Sequence, residues 1–182
     1  MRKDGFTLIE LMVVIAILAI LIGMLIPGVG IVMDKAKNAT ARTGAIVVQT
    51  ALQRYRTEYN VWPEFAKGSS KTHYTDSEFM ETMAPDPKES KPPKGNLKRI
   101  SFIETSEGSA TTNSAGKLVY QDPWGKQYQY LVNETPKDTM KLGSFKGDYK
   151  GETEIRAKVL VWSAGEDGDY TTWEDNIYSW SD

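Results

Sequence analysis

Two groups of side chains in this sequence have the type and spacing to do chemistry. Near the start, Glu10 is the single ionisable residue in the apolar run from Phe6 to Ile26. Near the end, Glu166, Asp167, Asp169, Glu174 and Asp175 put five carboxylates within ten residues, with Gly165 and Gly168 between them. An acid inside such a run costs about 2.5–3.5 kcal/mol at the centre of a bilayer, so it is a functional candidate whose partner must be sought. Neighbouring carboxylates repel unless water or a cation neutralises them. Calcium suits such a loop, since it takes about six to eight oxygens, backbone carbonyls included. The spacing is not that of an EF-hand, whose bidentate Glu stands at about the twelfth loop position. Composition leaves a cation-binding loop and a solvated acidic loop both open. His73, the only histidine, has no second His and no Ser or acid pattern beside it. It is expected to have neither a catalytic nor a ligand role.

The elements that must position these groups follow from periodicity. At ~1.5 Å per residue, a helix over Phe6–Ile26 covers roughly 30 Å, the thickness of a bilayer's hydrocarbon core. The run exceeds the roughly 7–15 apolar residues of a secretory signal core. A plain anchor explains its length but not the string Gly5-Phe6-Thr7-Leu8-Ile9-Glu10. Pro27 would weaken a helix by about 3 kcal/mol, yet helical spacing resumes at once. Val29, Val32, Ala36, Ala39, Thr43, Ile46 and Thr50 follow one another three or four residues apart, and Ala45, Val48, Leu52, Tyr55 and Tyr59 make a second stripe. One helix from Phe6 to about Tyr59 is predicted, closed by Asn60 as a left-handed cap and by Pro63.

Residues 61–117 read as a variable loop region with one short helix. Thr75-Asp76-Ser77-Glu78 has capping-box spacing, Pro85 and Pro87 stop the helix, and Lys88–Asn96 reads as an exposed loop. Arg99–Glu104 is predicted as a strand and Gly108–Gly116 as a loop. From Leu118 the pattern sharpens: a strand over Leu118–Tyr120, a type I turn at Asp122-Pro123-Trp124-Gly125, a strand through Tyr128, Tyr130 and Val132, and a third from Ile155 to Trp162. Residues 118–182 thus form an antiparallel sheet and an acidic C-terminal loop. Three such strands with one apolar face need a partner, which the long helix supplies.

Composition narrows the function classes. The net charge of −2 gives no electrostatic footprint for nucleic acid. There is no cysteine, hence no disulfide and no thiolate metal site. The carboxylates gather on one loop instead of facing each other across a cleft, and no nucleophile stands beside a base, so no enzyme is expected. A membrane-tethered, calcium-dependent binding module is a further reading.

The string Gly5 to Glu10 resembles the type III signal of type IV pilins and type II secretion pseudopilins. The resemblance implies a leader, residues 1–5, removed by prepilin peptidase between Gly5 and Phe6, with methylation of Phe6. Residues 6–26 would then be the transmembrane and assembly helix, and residues 27–60 its amphipathic continuation. Glu10 would pair with the α-amino group of Phe6 on a neighbouring subunit. The fold implied is α+β and pilin-like: a long N-terminal helix, transmembrane in its first half, packed on a small antiparallel sheet that carries a calcium-binding loop. The Asp122-Pro123-Trp124-Gly125 turn followed by Tyr128 and Tyr130 resembles the major pseudopilin more than a generic pilin. That family's loop binds Ca²⁺. By position the ligands would be Asp167, Glu174 and Asp175, with oxygens from Ala164 and Thr172. Glu174 stands where the family more often has Asp, and Asp169 has no firm counterpart. Because the cysteine-free loop is expected to have little core of its own, bound calcium would be its tie. The function implied is a structural subunit of a helical filament in the bacterial inner membrane, its C-terminal domain periplasmic. Its partners would be further copies of itself, minor pseudopilins, the inner-membrane assembly platform and prepilin peptidase. The alternative is a surface pilus for adhesion, motility or DNA uptake.

Overall fold

The structure, a computed structural model, describes residues 6–68, 71–104, 109–135, 137, 139–142, 147–151 and 154–180, with residues 24–29 described by their backbone only. The leader, Gly5 included, lies outside the described residues. Helix α1 runs from Leu8 to Tyr59 without interruption, position 27 included. By contacts the chain forms two compact units, Met1–Lys37 and Asn38–Asp182. In the first, the apolar side chains are exposed to a degree unusual for a folded chain: Phe6 77%, Leu8 76%, Ile9 70% and Val32 66%. Among the described residues no helix is long and apolar enough to cross a membrane. The expected span 6–26 ends on residues 24–26, whose side chains lie outside the description.

In the second unit the second of the two stripes read from spacing is the buried face of the helix, whereas the first stays exposed at Ala39, Thr43, Ile46 and Thr50. Ala45, Val48, Ala51, Leu52 and Tyr55 are buried. Tyr128 reaches this face closely enough that its hydroxyl donates to the Ala41 carbonyl at 3.1 Å. A Cβ on Gly44 would stand 2.2 Å from that hydroxyl, so the position admits only glycine without repacking. Asn60 ends α1 in the left-handed region, at φ 57°.

The variable region carries more order than its composition suggests. A 3₁₀ turn at Glu64–Ala66 precedes strand β1, His73–Tyr74, and helix α2, Ser77–Met83. Asp76, not Thr75, caps α2, accepting from the Phe79 amide at 3.0 Å. Thr75 is fully buried instead; its hydroxyl donates to the Tyr120 carbonyl and accepts from the Tyr128 amide. The Lys- and Pro-rich loop is fixed by Asn96, also fully buried, whose amide donates to the carbonyls of Thr82 and Ile100. Arg99–Glu104 contains no strand, while Ala110–Thr112, read from sequence as loop, is strand β2, paired antiparallel with β3, Leu118–Tyr120. A Ser/Thr/Ala-rich stretch has little β signal of its own, and the ladder offered by β3 decides the matter.

The main sheet has the order β1-β4-β7-β8, where β4 is Gln129–Val132, β7 is Val159–Ser163 and β8 is Ile177–Tyr178. Tyr130 faces Val161 and Leu131 faces Leu160 across its centre. The expected third strand is divided: Glu154–Arg156 is β6 and pairs with β5, Thr139–Lys141, as a separate hairpin. The sheet is also buried on both faces, not one. Tyr130, Val132, Val159 and Val161 pack with the α1 stripe. On the opposite face Leu131, Leu160 and Trp162 join Met140, Leu142 and Trp173, flanked by Tyr149, Tyr170, Tyr178 and Trp180. The C-terminal loop therefore has an aromatic core of its own, contrary to the expectation that it had little.

Candidate functional site

At the N-terminus, Thr7 and Glu10 form a reciprocal capping box. The Glu10 carboxylate accepts from the Thr7 amide at 2.8 Å and from the Thr7 hydroxyl at 2.7 Å, while the Glu10 amide donates to that hydroxyl at 3.3 Å. Within a single chain the acid is thus satisfied by the orphan donors of its own helix start. The Thr-x-x-Glu spacing of Thr7 and Glu10 is the sequence signal for this cap.

The acidic loop springs from the end of β7 and returns into β8, where Ser163 pairs with Ile177. Of the five residues expected to bind a cation, three come together. Asp175 Oδ2 accepts the Asp167 amide at 2.9 Å, and the Thr172 hydroxyl donates to Asp167 Oδ2. Gly165, at φ +66°, permits this closure: a Cβ there would stand 2.6 Å from both the carbonyl and the carboxylate of Asp175. Ala164 is fully buried at the root of the loop. Glu174 is exposed and shares no hydrogen bond with the other four. Asp169 turns to Thr171, whose amide and hydroxyl both donate to its Oδ1, holding its carboxyl below the usual range. Among the described residues no three acidic, histidine or cysteine side chains converge as a metal cluster. The donors at hand are two carboxylates, a hydroxyl and backbone carbonyls, all hard oxygens of the kind calcium takes. Nearby, the Oδ1 of buried Asn176 has no hydrogen-bond partner.

The loop is gripped from outside by residues the sequence did not single out. The Asp148 carboxylate accepts the Trp173 amide at 2.6 Å, and the Asp148 amide donates to the Thr171 carbonyl. The Tyr149 ring lies 4.9 Å from that of Trp173. The only available signal was the number of aromatic residues after position 149.

Residues 1–26 match the family described as "Prokaryotic N-terminal methylation motif". The type II secretion system core protein G of Pseudomonas aeruginosa is 30% identical over 145 residues, which are 79% of this chain and 84% of that protein. The chain belongs to the core protein G family. The Vibrio cholerae member is 30% identical over 132 residues, 72% of this chain and 73% of its own length. The Aeromonas hydrophila member is 28% identical over 180 residues, 99% of this chain and 94% of its own. The crystal structure of the major pseudopilin from the type 2 secretion system of enterohaemorrhagic Escherichia coli aligns at a TM-score of 0.41, with 20% identity over 81% of this chain and 86% of that one. Membership makes this a structural pseudopilin of the type II secretion system, as the N-terminal string and the Asp-Pro-Trp-Gly turn indicated.

His73 sits in β1 with its ring 5.6 Å from that of Tyr130 and with Nε2 buried and unpartnered. Burial, and secondarily Lys71, hold its pKa below the ordinary value of 6.5. The unfolded chain therefore takes up a proton as pH falls through the mid-sixes while the folded chain does not. Stability is full above that pH and declines as pH falls below it. Urea melts at pH 7 and pH 5.5 should show a smaller pH-dependent loss in His73→Gln than in the native chain; equal losses would remove His73 from the account.

Proposed function

We propose that this chain is the major pseudopilin subunit that polymerises into a periplasmic pseudopilus, anchored beforehand as a single span in the bacterial inner membrane. The observation that carries the reading is the exposed apolar surface of Phe6 and of α1, from Leu8 to Ile22 and again at Ile31, Val32 and Met33. Such a surface is unfavourable in water at about 25 cal/mol per Å² and needs lipid or other copies of the same helix to cover it. Residues 6–26 would occupy the bilayer before assembly. Prepilin peptidase would cut between Gly5 and Phe6, and Phe6 would be methylated. Glu10 would then exchange its Thr7 cap for the α-amino group of Phe6 on a neighbouring subunit, giving each added protomer a fixed register. Minor pseudopilins and the inner-membrane platform are the further partners this role requires.

The second part of the proposal is calcium at the acidic loop. Asp167, Asp175, Thr172 and the Ala164 carbonyl would hold it, with Glu174 reaching in from the exposed side. Bound there, the ion would neutralise carboxylates that otherwise repel, and tie the loop without a disulfide. The grouping of Asp167, Thr172 and Asp175 across the Gly165 turn supports this reading.

Mass spectrometry of the mature protein from an envelope fraction tests the first part. A chain beginning at N-methyl-Phe6 is expected. An intact leader, or processing at another bond, would bring the filament reading down.

A further inference from the structure

The buried carboxylate of Asp122 has a task beyond the turn it begins. It is 3% exposed, stands in the turn between β3 and β4, and divides its two oxygens between separate tasks. Oδ1 accepts the amides of Trp124 at 3.0 Å and Lys126 at 2.8 Å, which closes its own turn. Oδ2 is not needed for that. It accepts the hydroxyl of Ser163 at 2.5 Å, across 41 positions of sequence. Ser163 is fully buried, ends β7, and is the residue from which the acidic loop departs. Because its proton goes to Asp122, its oxygen keeps a lone pair for the Gly165 amide, which donates to it at 3.1 Å. Gly165 in turn is the residue on whose bare Cα the Asp175 carboxylate rests. The contacts run without a gap from Asp122 through Ser163 and Gly165 to Asp175 and Asp167.

Two further contacts join the same turn to the same loop. The Tyr170 hydroxyl donates to the Gln127 carbonyl. The Lys126 side chain lies over Gly168, its Cε 2.7 Å from where a Cβ would be. The turn Asp122–Gln127 is thus the floor of the loop, and a buried acid is its fixed point. A carboxylate so desolvated is costly unless its lone pairs are filled, and here one oxygen's acceptance is directed at the loop.

We infer that Asp122 is a positioning residue for the acidic loop, acting through the Ser163 hydroxyl to set the Gly165 turn on which Asp167 and Asp175 converge. This rests on the calcium reading only where its effect on the ion is concerned. Groups that orient metal ligands from behind change affinity by roughly tenfold to a hundredfold when removed.

Two substitutions isolate the link. Ser163→Ala deletes the hydroxyl. Asp122→Asn keeps Oδ1 for Trp124 and Lys126, and hence the turn, but its amide nitrogen cannot accept the Ser163 proton. Both are made in the full chain in detergent micelles. Calcium titration by calorimetry and amide hydrogen exchange of peptides covering residues 164–176 in chelator are the readouts. Each variant is expected to weaken calcium binding by about tenfold or more and to speed exchange in that segment, with exchange in the α1 and β4 peptides unchanged. The double variant should be no worse than the worse single one, since both break the same bond. Exchange and calcium affinity like the native chain's in Asp122→Asn would overturn the inference, as would additive effects. If the native chain binds no calcium while exchange still quickens in both variants, the calcium reading fails and the positioning role stands.

Discussion

Cells producing Glu10→Ala are expected to accumulate the processed subunit in the membrane while yielding roughly 150- to 5,000-fold fewer filaments, the factor that corresponds to losing a desolvated charge pair at about 3–5 kcal/mol. The effect falls on assembly and not on the subunit. In the single chain Glu10 contributes one reciprocal cap with Thr7, and losing a cap costs about 1 kcal/mol on a helix that continues to Tyr59. In the fibre, if the proposed pairing holds, the same deletion would leave the neighbour's Phe6 ammonium without a partner. Glu10→Gln separates the two roles, because its amide oxygen can still accept from Thr7 but carries no charge. It should keep the cap and still fail to assemble. Filaments counted by negative-stain microscopy, normalised to subunit by immunoblot, provide the measurement. Normal yield from either variant would refute the pairing.

Chelation should lower the melting temperature of the C-terminal unit by roughly 5–10 °C. An ion present at a hundredfold excess over its Kd adds about 2.7 kcal/mol, and a unit of this size shifts by about 2–4 °C per kcal/mol. The chelated unit should nonetheless remain folded before melting. Trp173 is buried in the aromatic cluster with Trp162, Tyr149 and Trp180, and Asp148 holds its amide, so the far side of the loop is anchored without an ion. Asp167→Ala should melt where the chelated native chain does and show no response to chelator. Native protein that melts identically with and without chelator would end the calcium proposal, and tryptophan fluorescence followed through the melt would report directly on the loop.

The long helix and its buried stripe were legible because a 3.6-residue period leaves its mark over fifty residues, too many for local ambiguity to matter. Asn60 at the helix end and the turn beginning at Asp122 were legible for a related reason: left-handed caps and Asp-Pro turns are local chemistry. The second face of the sheet was also written in the alternation, since Leu131, Leu160 and Trp162 occupy the positions opposite Tyr130 and Val161. An apolar second face does not by itself name what covers it, and its cover here comes from Met140, Leu142 and Trp173, which lie outside β4 and β7. The division of Ile155–Trp162 between two ladders was not legible, because a β pattern does not say which strand it pairs with.

The sequence by itself determined the N-terminal spine with its lone acid, the apolar stripe of the helix, and a loop crowded with carboxylates, all of which depend on neighbours a few residues apart. The tertiary structure alone decided that Asp122 reaches Ser163 across 41 positions, that Asp148 holds Trp173, and that Glu174 stays outside the group formed by Asp167, Thr172 and Asp175. The first two contacts join segments brought together only when the sheet closes, the third is set by how the loop they hold is turned, and no local periodicity encodes a distance that the fold itself creates.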